Sequence, residues 1–238
     1  AYGKVKEIKD YRNLLKDGDQ AVQKVYTYDR FDRVKEMIYT DLETGKVMES
    51  YQYSYDKNSN ITKKTQVNNY PKEDANKVNE TKSYTYDTLG RLTKTVTIDH
   101  NKNDKTKTVT YTYDNVGNLT KEVKGNVTTD YTYNLGNLVT NMTNKNGQSV
   151  ISTYNYSYNY DGNISKSVEN GVTKNYKYDP MNRLVQENTK NNTYSYTYDN
   201  AGNRATLTAT GSENYVKSYI YDKNNRLLEE CKAVNNDK

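Results

Sequence analysis

The sequence predicts an all-β protein, an array of about nine antiparallel β-hairpins. Three observations lead there. A pair of tyrosines with one residue between them recurs along the 238 residues, each pair is followed by a short polar stretch with turn chemistry, and a second set of turn signals separates the units.

The unit is clearest at Tyr111-Thr112-Tyr113-Asp114-Asn115-Val116-Gly117-Asn118-Leu119. Tyr111 and Tyr113 are two apart, so in a strand both rings leave the same face. Asp114 is placed to accept from backbone N–H groups just ahead of it, and Gly117 tolerates a positive φ. Together they suit a type I turn closed by a left-handed residue, after which Leu119 opens the return strand. Aligned on the second tyrosine, the units fall at Tyr28, Tyr55, Tyr86, Tyr113, Tyr133, Tyr158, Tyr178, Tyr198 and Tyr221. The motif positions that define the repeat are read most plainly in Tyr84, Tyr86, Asp87 and Gly90, in Tyr111, Tyr113, Asp114 and Gly117, and in Tyr196, Tyr198, Asp199 and Gly202.

The place of Gly117 is taken in the other units by Asp32, Ser59, Gly90, Gly136, Gly162, Asn182, Gly202 and Asn225. Gly, Asn and Asp are the residues that enter the left-handed region most readily, and only Ser59 fits poorly. The unit Tyr133-Asn134-Leu135-Gly136-Asn137-Leu138 is one residue short, which predicts a tighter turn there. The second reversals read as type I′ at Asn146-Gly147 and Asn170-Gly171, type II′ at Gly125-Asn126, and type I with a glycine bulge at Leu42-Glu43-Thr44-Gly45. Asn191-Asn192 closes another. The longer units carry extra polar residues over Asn68–Lys82, with Pro71, and over Asp99–Lys107; both read as exposed loops. Strand alternation puts Leu119, Lys121 and Val123 on one face and Thr120 and Glu122 on the other, and tyrosines stacked from unit to unit are expected to form the core.

Composition sets bounds. Leu, Ile, Val and Phe make up only about 16% of the chain, which by itself would suggest disorder. The register of the turn residues argues against that, and 27 tyrosines against a single Phe supply large rings with polar tips. The net charge of +5 comes from lysines scattered singly among Thr, Asn and Glu, a solvated face rather than a phosphate-binding stripe, so no nucleic-acid partner is expected. No apolar run is long enough to span a membrane. Cys231 is the only cysteine, which excludes an internal disulfide and a cysteine-based metal site; no metal or cofactor is expected. His100, the only histidine, lies in the polar insertion Asp99-His100-Asn101-Lys102 with no nucleophile motif to support it, and no catalytic residue is assigned. The recurring Asp29, Asp56, Asp87, Asp114, Asp179, Asp199 and Asp222 have local turn roles, and Arg33, Arg91, Arg183 and Arg226 follow four of them at four residues' distance. Asn-x-Ser/Thr triplets such as Asn60-Ile61-Thr62, Asn118-Leu119-Thr120 and Asn163-Ile164-Ser165 follow from the abundance of Asn and Thr, and no glycosylation is assigned.

Ala1-Tyr2-Gly3-Lys4-Val5-Lys6-Glu7-Ile8 matches Asn115 to Glu122, so the chain begins in the middle of a repeat turn and reads as an excerpt of a longer array. The organisation expected is one array over 1–238: a partial or degenerate repeat in 1–25, clear repeats in 26–230 and a tail in 231–238. Asp10 to Gln20, with Leu14, Leu15 and Gly18, is the least repeat-like stretch and reads as a weak strand and turn.

The motif Tyr-x-Tyr-Asp-x-x-Gly-(Asn/Arg)-Leu, as in Tyr84 to Leu92 and Tyr111 to Leu119, resembles the YD repeat of the RHS family of polymorphic toxins, wall-associated proteins, toxin-complex cocoon components and teneurins. The resemblance implies hairpins joined edge to edge into a curved, spiralling sheet, a partial hollow shell. It further implies a secreted or bacterial cell-surface protein whose shell encapsulates a C-terminal toxin cargo, with further repeats and that cargo domain of the parent protein as partners. The family's self-cleavage segment has no match here. Asp179-Pro180 sits in an ordinary repeat turn, with Pro where its φ is preset. A second function class stays open: a surface recognition module gripping a cell-surface glycan or a partner protein through exposed tyrosines.

Overall fold

The computed structural model describes residues 3–10, 21–69 and 77–234. Among them, everything regular is β-strand except one 3₁₀ turn at His100–Lys102. The chain divides into two compact units, Ala1–Thr112 with Glu122–Gly125, and Tyr113–Lys121 with Asn126–Lys238.

The first unit carries β1 (Glu7–Asp10), β2 (Val22–Tyr28), β3 (Val34–Asp41), β4 (Val47–Tyr55), β5 (Ile61–Asn68), β6 (Val78–Tyr86), β7 (Leu92–Asp99) and β8 (Lys105–Tyr113, whose last residue counts with the second unit). Each strand pairs antiparallel with the next in sequence. β9 (Leu119–Lys124) is divided between the units. The second unit runs through β10 (Val127–Tyr133), β11 (Val139–Asn146), β12 (Ser149–Tyr158), β13 (Ile164–Glu169), β14 (Val172–Tyr178), β15 (Leu184–Asn188), β16 (Asn192–Tyr198), β17 (Arg204–Gly211), β18 (Tyr215–Tyr221) and β19 (Leu227–Val234). It too is a meander, each strand antiparallel to the next. The expected all-β hairpin array is the fold.

Tyrosine alternation holds throughout. Both rings of each pair are at least half-buried while the residue between them, from Thr27 to Ile220, is exposed. The register then shifts at the second tyrosine, as between Thr27 and Tyr28, Ser54 and Tyr55, Thr85 and Tyr86 in the first unit, and Thr132 and Tyr133, Ser157 and Tyr158, Thr197 and Tyr198 in the second. Such a bulge adds one residue to the return strand and sharpens the local twist. It also corrects the expected facing of the return strand. Leu92 lies opposite Tyr86, but Lys94 lies opposite the exposed Thr85, because Thr93 is the extra residue. Leu119 is half-buried and Lys121 exposed, the same difference in burial as between Leu92 and Lys94.

The expected core of stacked rings is also corrected. Among the described residues the buried apolar side chains are only Ala21, Ala209 and Tyr219. Successive hairpins repeat every two strands, about 10 Å, whereas rings pack with centroids roughly 4.5–7 Å apart, so equivalent tyrosines of neighbouring units are too far apart to stack. The close ring pairs lie elsewhere: Tyr53 with Tyr55 at 6.5 Å along one strand, and Tyr39 with Tyr51 at 6.1 Å across β3 and β4.

The turns follow the expected chemistry with two exceptions. In the fifth unit the positive φ belongs to Asn137 at 59°, not to Gly136. The turn is full length: Asn134 N–H bonds the Leu138 carbonyl at 3.0 Å, and the return strand opens at Val139, so Leu138 fills the place of Asn118. In the second exception, Asn146-Gly147 is not type I′, since only Gly147 has a positive φ, 59°. A bulge between Asn144 and Lys145 shifts the register so that Asn146 pairs with Ser149, leaving Gly147-Gln148 as the loop with glycine first, the type II′ arrangement. Asn170 and Gly171, at 49° and 84°, do form the I′ pattern. Two expected loops are shorter than the sequence suggested. β6 starts at Val78 and ladders with Lys63–Asn68 of β5, and Asp99–Lys107 holds the 3₁₀ turn and the start of β8. Leu14, Leu15, Gly18 and Pro71, with the last four residues of the expected tail, lie outside the described residues.

Candidate functional site: the tyrosine clamp and the ladder of turns

Each repeat turn is built on one side-chain oxygen. In the turn after β6, Asp87 Oδ1 accepts from the N–H of Leu89 and of Arg91, both at 2.9 Å, while Oδ2 accepts from Arg91 Nε at 2.7 Å. Gly90 sits at φ 78° with its N–H on the Asp87 carbonyl. Asp114 repeats this with Val116 and Asn118 N–H at 3.1 and 2.8 Å and Asn118 Nδ2 at 3.0 Å; Asp199 does so with Ala201, Asn203 and Asn203 Nδ2. Gly117 and Gly202 stand at φ 100° and 87°. Ser59, the poor fit in sequence, also stands at 69°. These donors favour the charged carboxylate. Hydrogen bonding from the Arg33 side chain, ahead of the N–H groups of Arg33 and Phe31, holds the Asp29 carboxyl below the usual range; the Arg91 N–H and then its guanidinium do so for Asp87, and the Asn203 amide for Asp199.

The second tyrosine of a unit reaches back to the unit before it. The hydroxyls of Tyr55 and Tyr86 donate to the carbonyls of Val34 and Ile61 at 2.7 and 2.8 Å. In the second unit, Tyr133, Tyr158, Tyr178 and Tyr198 donate to Leu119, Val139, Ile164 and Leu184 at 2.7, 2.6, 3.0 and 2.7 Å. The acceptor is always the first residue of the preceding return strand. Tyr28 donates in the same way to Val5 at 2.7 Å, which gives Val5 the place of Leu119, as the alignment of the N-terminal residues had it. Sequence reasoning missed this clamp. Its signal was the choice of Tyr over Phe at every second position, since packing alone would not require the hydroxyl.

A second ladder joins the turns. The residue that braces its own Asp or Asn also touches the next turn: Asn118 Nδ2 donates to Asn137 Oδ1 at 2.9 Å, Asn163 to Asn182 at 2.7 Å, Asn203 to Asn225 at 3.0 Å, and Arg33 Nη1 to Ser59 Oγ at 3.2 Å. Arginines in this place lie over the next clamping ring, Arg33 on Tyr55 at 4.4 Å and Arg183 on Tyr198 at 4.6 Å.

His100 bridges Thr81 Oγ1 at 3.0 Å through Nε2 and Asp104 Oδ1 at 2.5 Å through Nδ1. The order hydroxyl, imidazole, carboxylate is that of a nucleophile relay. Thr81 lies in mid-strand with both neighbours laddered, however, so its backbone N–H is engaged and cannot stabilise an oxyanion. The contact ties the insertion to the sheet. Cys231 is exposed, and no group of three or more His, Cys, Asp or Glu able to hold a metal occurs among the described residues.

No protein-family model and no curated protein matches the chain in sequence. Solved structures do match it in fold. TcdB2–TccC3–Cdc42 superposes with a TM-score of 0.71 at 15% identity, over 88% of this chain and 12% of that one. The Photorhabdus luminescens Tc holotoxin pore carrying the TccC3 D651A mutation gives 0.69 at 14% identity, again over 88% and 12%. The chain shares its fold with a segment of these toxin-complex proteins. It spans about an eighth of their length. The RHS-like architecture implied by the Tyr-x-Tyr-Asp motif is therefore supported by structure, without a match in sequence.

Proposed function

We infer that the chain is a shell segment of an RHS-repeat toxin-type protein, one stretch of a curved wall that encloses a C-terminal toxin cargo. The observation that carries this reading is the tyrosine clamp on a toxin-complex fold. The hairpins of Tyr28, Tyr55, Tyr86, Tyr133, Tyr158, Tyr178 and Tyr198 are each fastened to the preceding unit by the same hydroxyl-to-carbonyl bond, so units add in series as an extended wall requires. The motif residues Tyr84, Tyr86, Asp87 and Gly90, with their counterparts at 111–117 and 196–202, then have architectural roles, and the protein works by enclosure rather than by catalysis. The same reading takes residues 1–25 as a partial repeat and 26–230 as the array, which β19 extends to Val234 at the expense of the expected tail at 231–238, within a secreted or surface-displayed parent. The test is the intact mass of the native protein from its producing cells, with both ends sequenced. A polypeptide several times larger than 27.6 kDa, with more repeats and a non-repetitive C-terminal domain, is expected. A mature product with no such domain would overturn containment.

A further inference from the structure

Two pairs of tyrosine rings in the first unit approach each other at nearly the same distance, 6.1 Å for Tyr39 with Tyr51 and 6.5 Å for Tyr53 with Tyr55. Their hydroxyls meet different acceptors. The Tyr51 hydroxyl donates to Glu49 Oε2 at 2.8 Å, and Asn68 Nδ2 donates to Oε1 of the same carboxylate at 3.1 Å. Glu49 stands directly opposite Tyr39 in the ladder of β3 with β4, and Tyr51 follows two residues further along the same face. In the other pair the Tyr55 hydroxyl donates to the Val34 carbonyl at 2.7 Å, and no carboxylate bonds Tyr53 among the described residues.

The difference matters for the loss of an electron. A phenol that gives up an electron and keeps its proton becomes a positive ring, and a cation already lies beside each ring of the first pair: Lys24 Nζ is 5.4 Å from the Tyr39 ring centre and Lys64 Nζ 5.1 Å from that of Tyr51. Like charge so close to a half-buried ring opposes a second positive charge. The electron therefore leaves most readily when the proton leaves with it, which needs a base within hydrogen-bond reach. Glu49 is such a base for Tyr51. A backbone carbonyl accepts a hydrogen bond but is far too weak a base to take the proton, so Tyr55 lacks this route, and the Arg33 guanidinium lies 4.4 Å over its ring. Cysteine offers these strands no cross-tie, since the chain's only one is Cys231.

We propose that Tyr39 and Tyr51 form an oxidative modification site, joined through their ortho carbons as dityrosine when a peroxide-driven one-electron oxidant acts on the chain. Tyr51 loses an electron and passes its proton to Glu49; Tyr39, on the neighbouring strand, loses an electron and releases its proton to water. The two neutral radicals pair to form the carbon–carbon bond. The hydrogens on the joined ring carbons then leave as protons while the two phenol oxygens are reprotonated, so that two phenols and one hydrogen peroxide give one dityrosine and two waters. The link staples β3 to β4 covalently and is independent of cargo enclosure.

The test is oxidation of the full chain, dilute enough to prevent linkage between chains, by a haem peroxidase with limiting hydrogen peroxide. Digestion and mass mapping then find the linked peptides by the loss of two hydrogens, and fragmentation assigns the tyrosines joined. The Tyr39–Tyr51 product should exceed Tyr53–Tyr55 about tenfold or more, and Glu49→Gln, whose amide holds the hydroxyl but cannot take its proton, should bring the two within about twofold. Glu43→Gln, which removes an exposed carboxylate between the same two strands, should leave the preference unchanged. The native chain decides the site whatever a variant does to folding: equal yields of the two links, or no link between Tyr39 and Tyr51, overturns the proposal. So does a preference that survives Glu49→Gln or falls equally with Glu43→Gln.

Discussion

The Tyr158 hydroxyl donates a 2.6 Å hydrogen bond to the carbonyl of Val139, nineteen residues earlier in the chain. Val139 opens the return strand of the preceding hairpin, and β11 ladders with β12 only from Asn141 onward, so the tyrosine hydroxyl supplies a bond beyond the point where that ladder ends. Neighbouring hairpins are thus fastened at their turn ends by side chains as well as by backbone.

Replacing Tyr158 by Phe should therefore destabilise the protein by about 0.5–1.5 kcal/mol. Tyr156, two residues earlier on the same face, makes no hydroxyl bond among the described residues, and Tyr156→Phe should be nearly neutral. Denaturant midpoints of the two variants decide the point; equal shifts would show that the ring alone matters.

Gly117 stands at φ 100°, where a β-carbon costs about 1–2 kcal/mol, and a branched one is worse still. Val116, the residue before it, is 73% exposed. Gly117→Val should lower the thermal midpoint clearly and Val116→Thr should not. Matching thermal shifts would remove the turn assignment.

The turn carboxylates make the fold acid-sensitive. Asp29, Asp56, Asp87, Asp179, Asp199 and Asp222 titrate below their ordinary range in the folded chain, so their stabilising effect is complete above the unfolded value near 3.8 and is lost as the pH falls through the lower folded values. Thermal midpoints should be level from pH 7 to about 5 and fall below about 4. Asn134 holds the same turn with an uncharged oxygen, accepting from the N–H of Gly136 and Leu138 at 3.0 Å. An Asp199→Asn variant should accordingly lose less stability between pH 5 and 3 than the parent chain. An identical loss would place the sensitivity elsewhere.

At the alkaline end the sign reverses. Burial, with the bond to Glu49 at 2.8 Å, pushes the Tyr51 hydroxyl up to about 12, and burial raises Tyr53, Tyr55, Tyr86 and Tyr158 as well. Groups whose folded pKa is raised stabilise fully below the unfolded value near 10 and lose that contribution as the pH climbs through the folded values. The chain should lose stability above about pH 10, and in the chain that remains folded ring-carbon NMR shifts should show Tyr51 still protonated at pH 11. Glu49→Gln should lower its pKa only in part, because burial is the larger cause.

What the sequence by itself determined is what acts within four or five residues. The Asp or Asn that seeds each turn, the braces at Arg33, Arg91, Arg183 and Arg226, and eight of the nine left-handed positions are legible because the bonds they make close inside one turn, where residue type and spacing are sufficient. The alternation of tyrosines is legible for the same reason. Only the tertiary structure decided what depends on register between strands. The bulge that turns Lys94 to the face opposite Leu92, the shift of the left-handed residue from Gly136 to Asn137, the carbonyl that each clamping hydroxyl meets and the contact of His100 with Thr81 join residues set by the pairing of neighbouring strands. A one-residue slip reverses every facing in a strand, and nothing local penalises it; the ladder does.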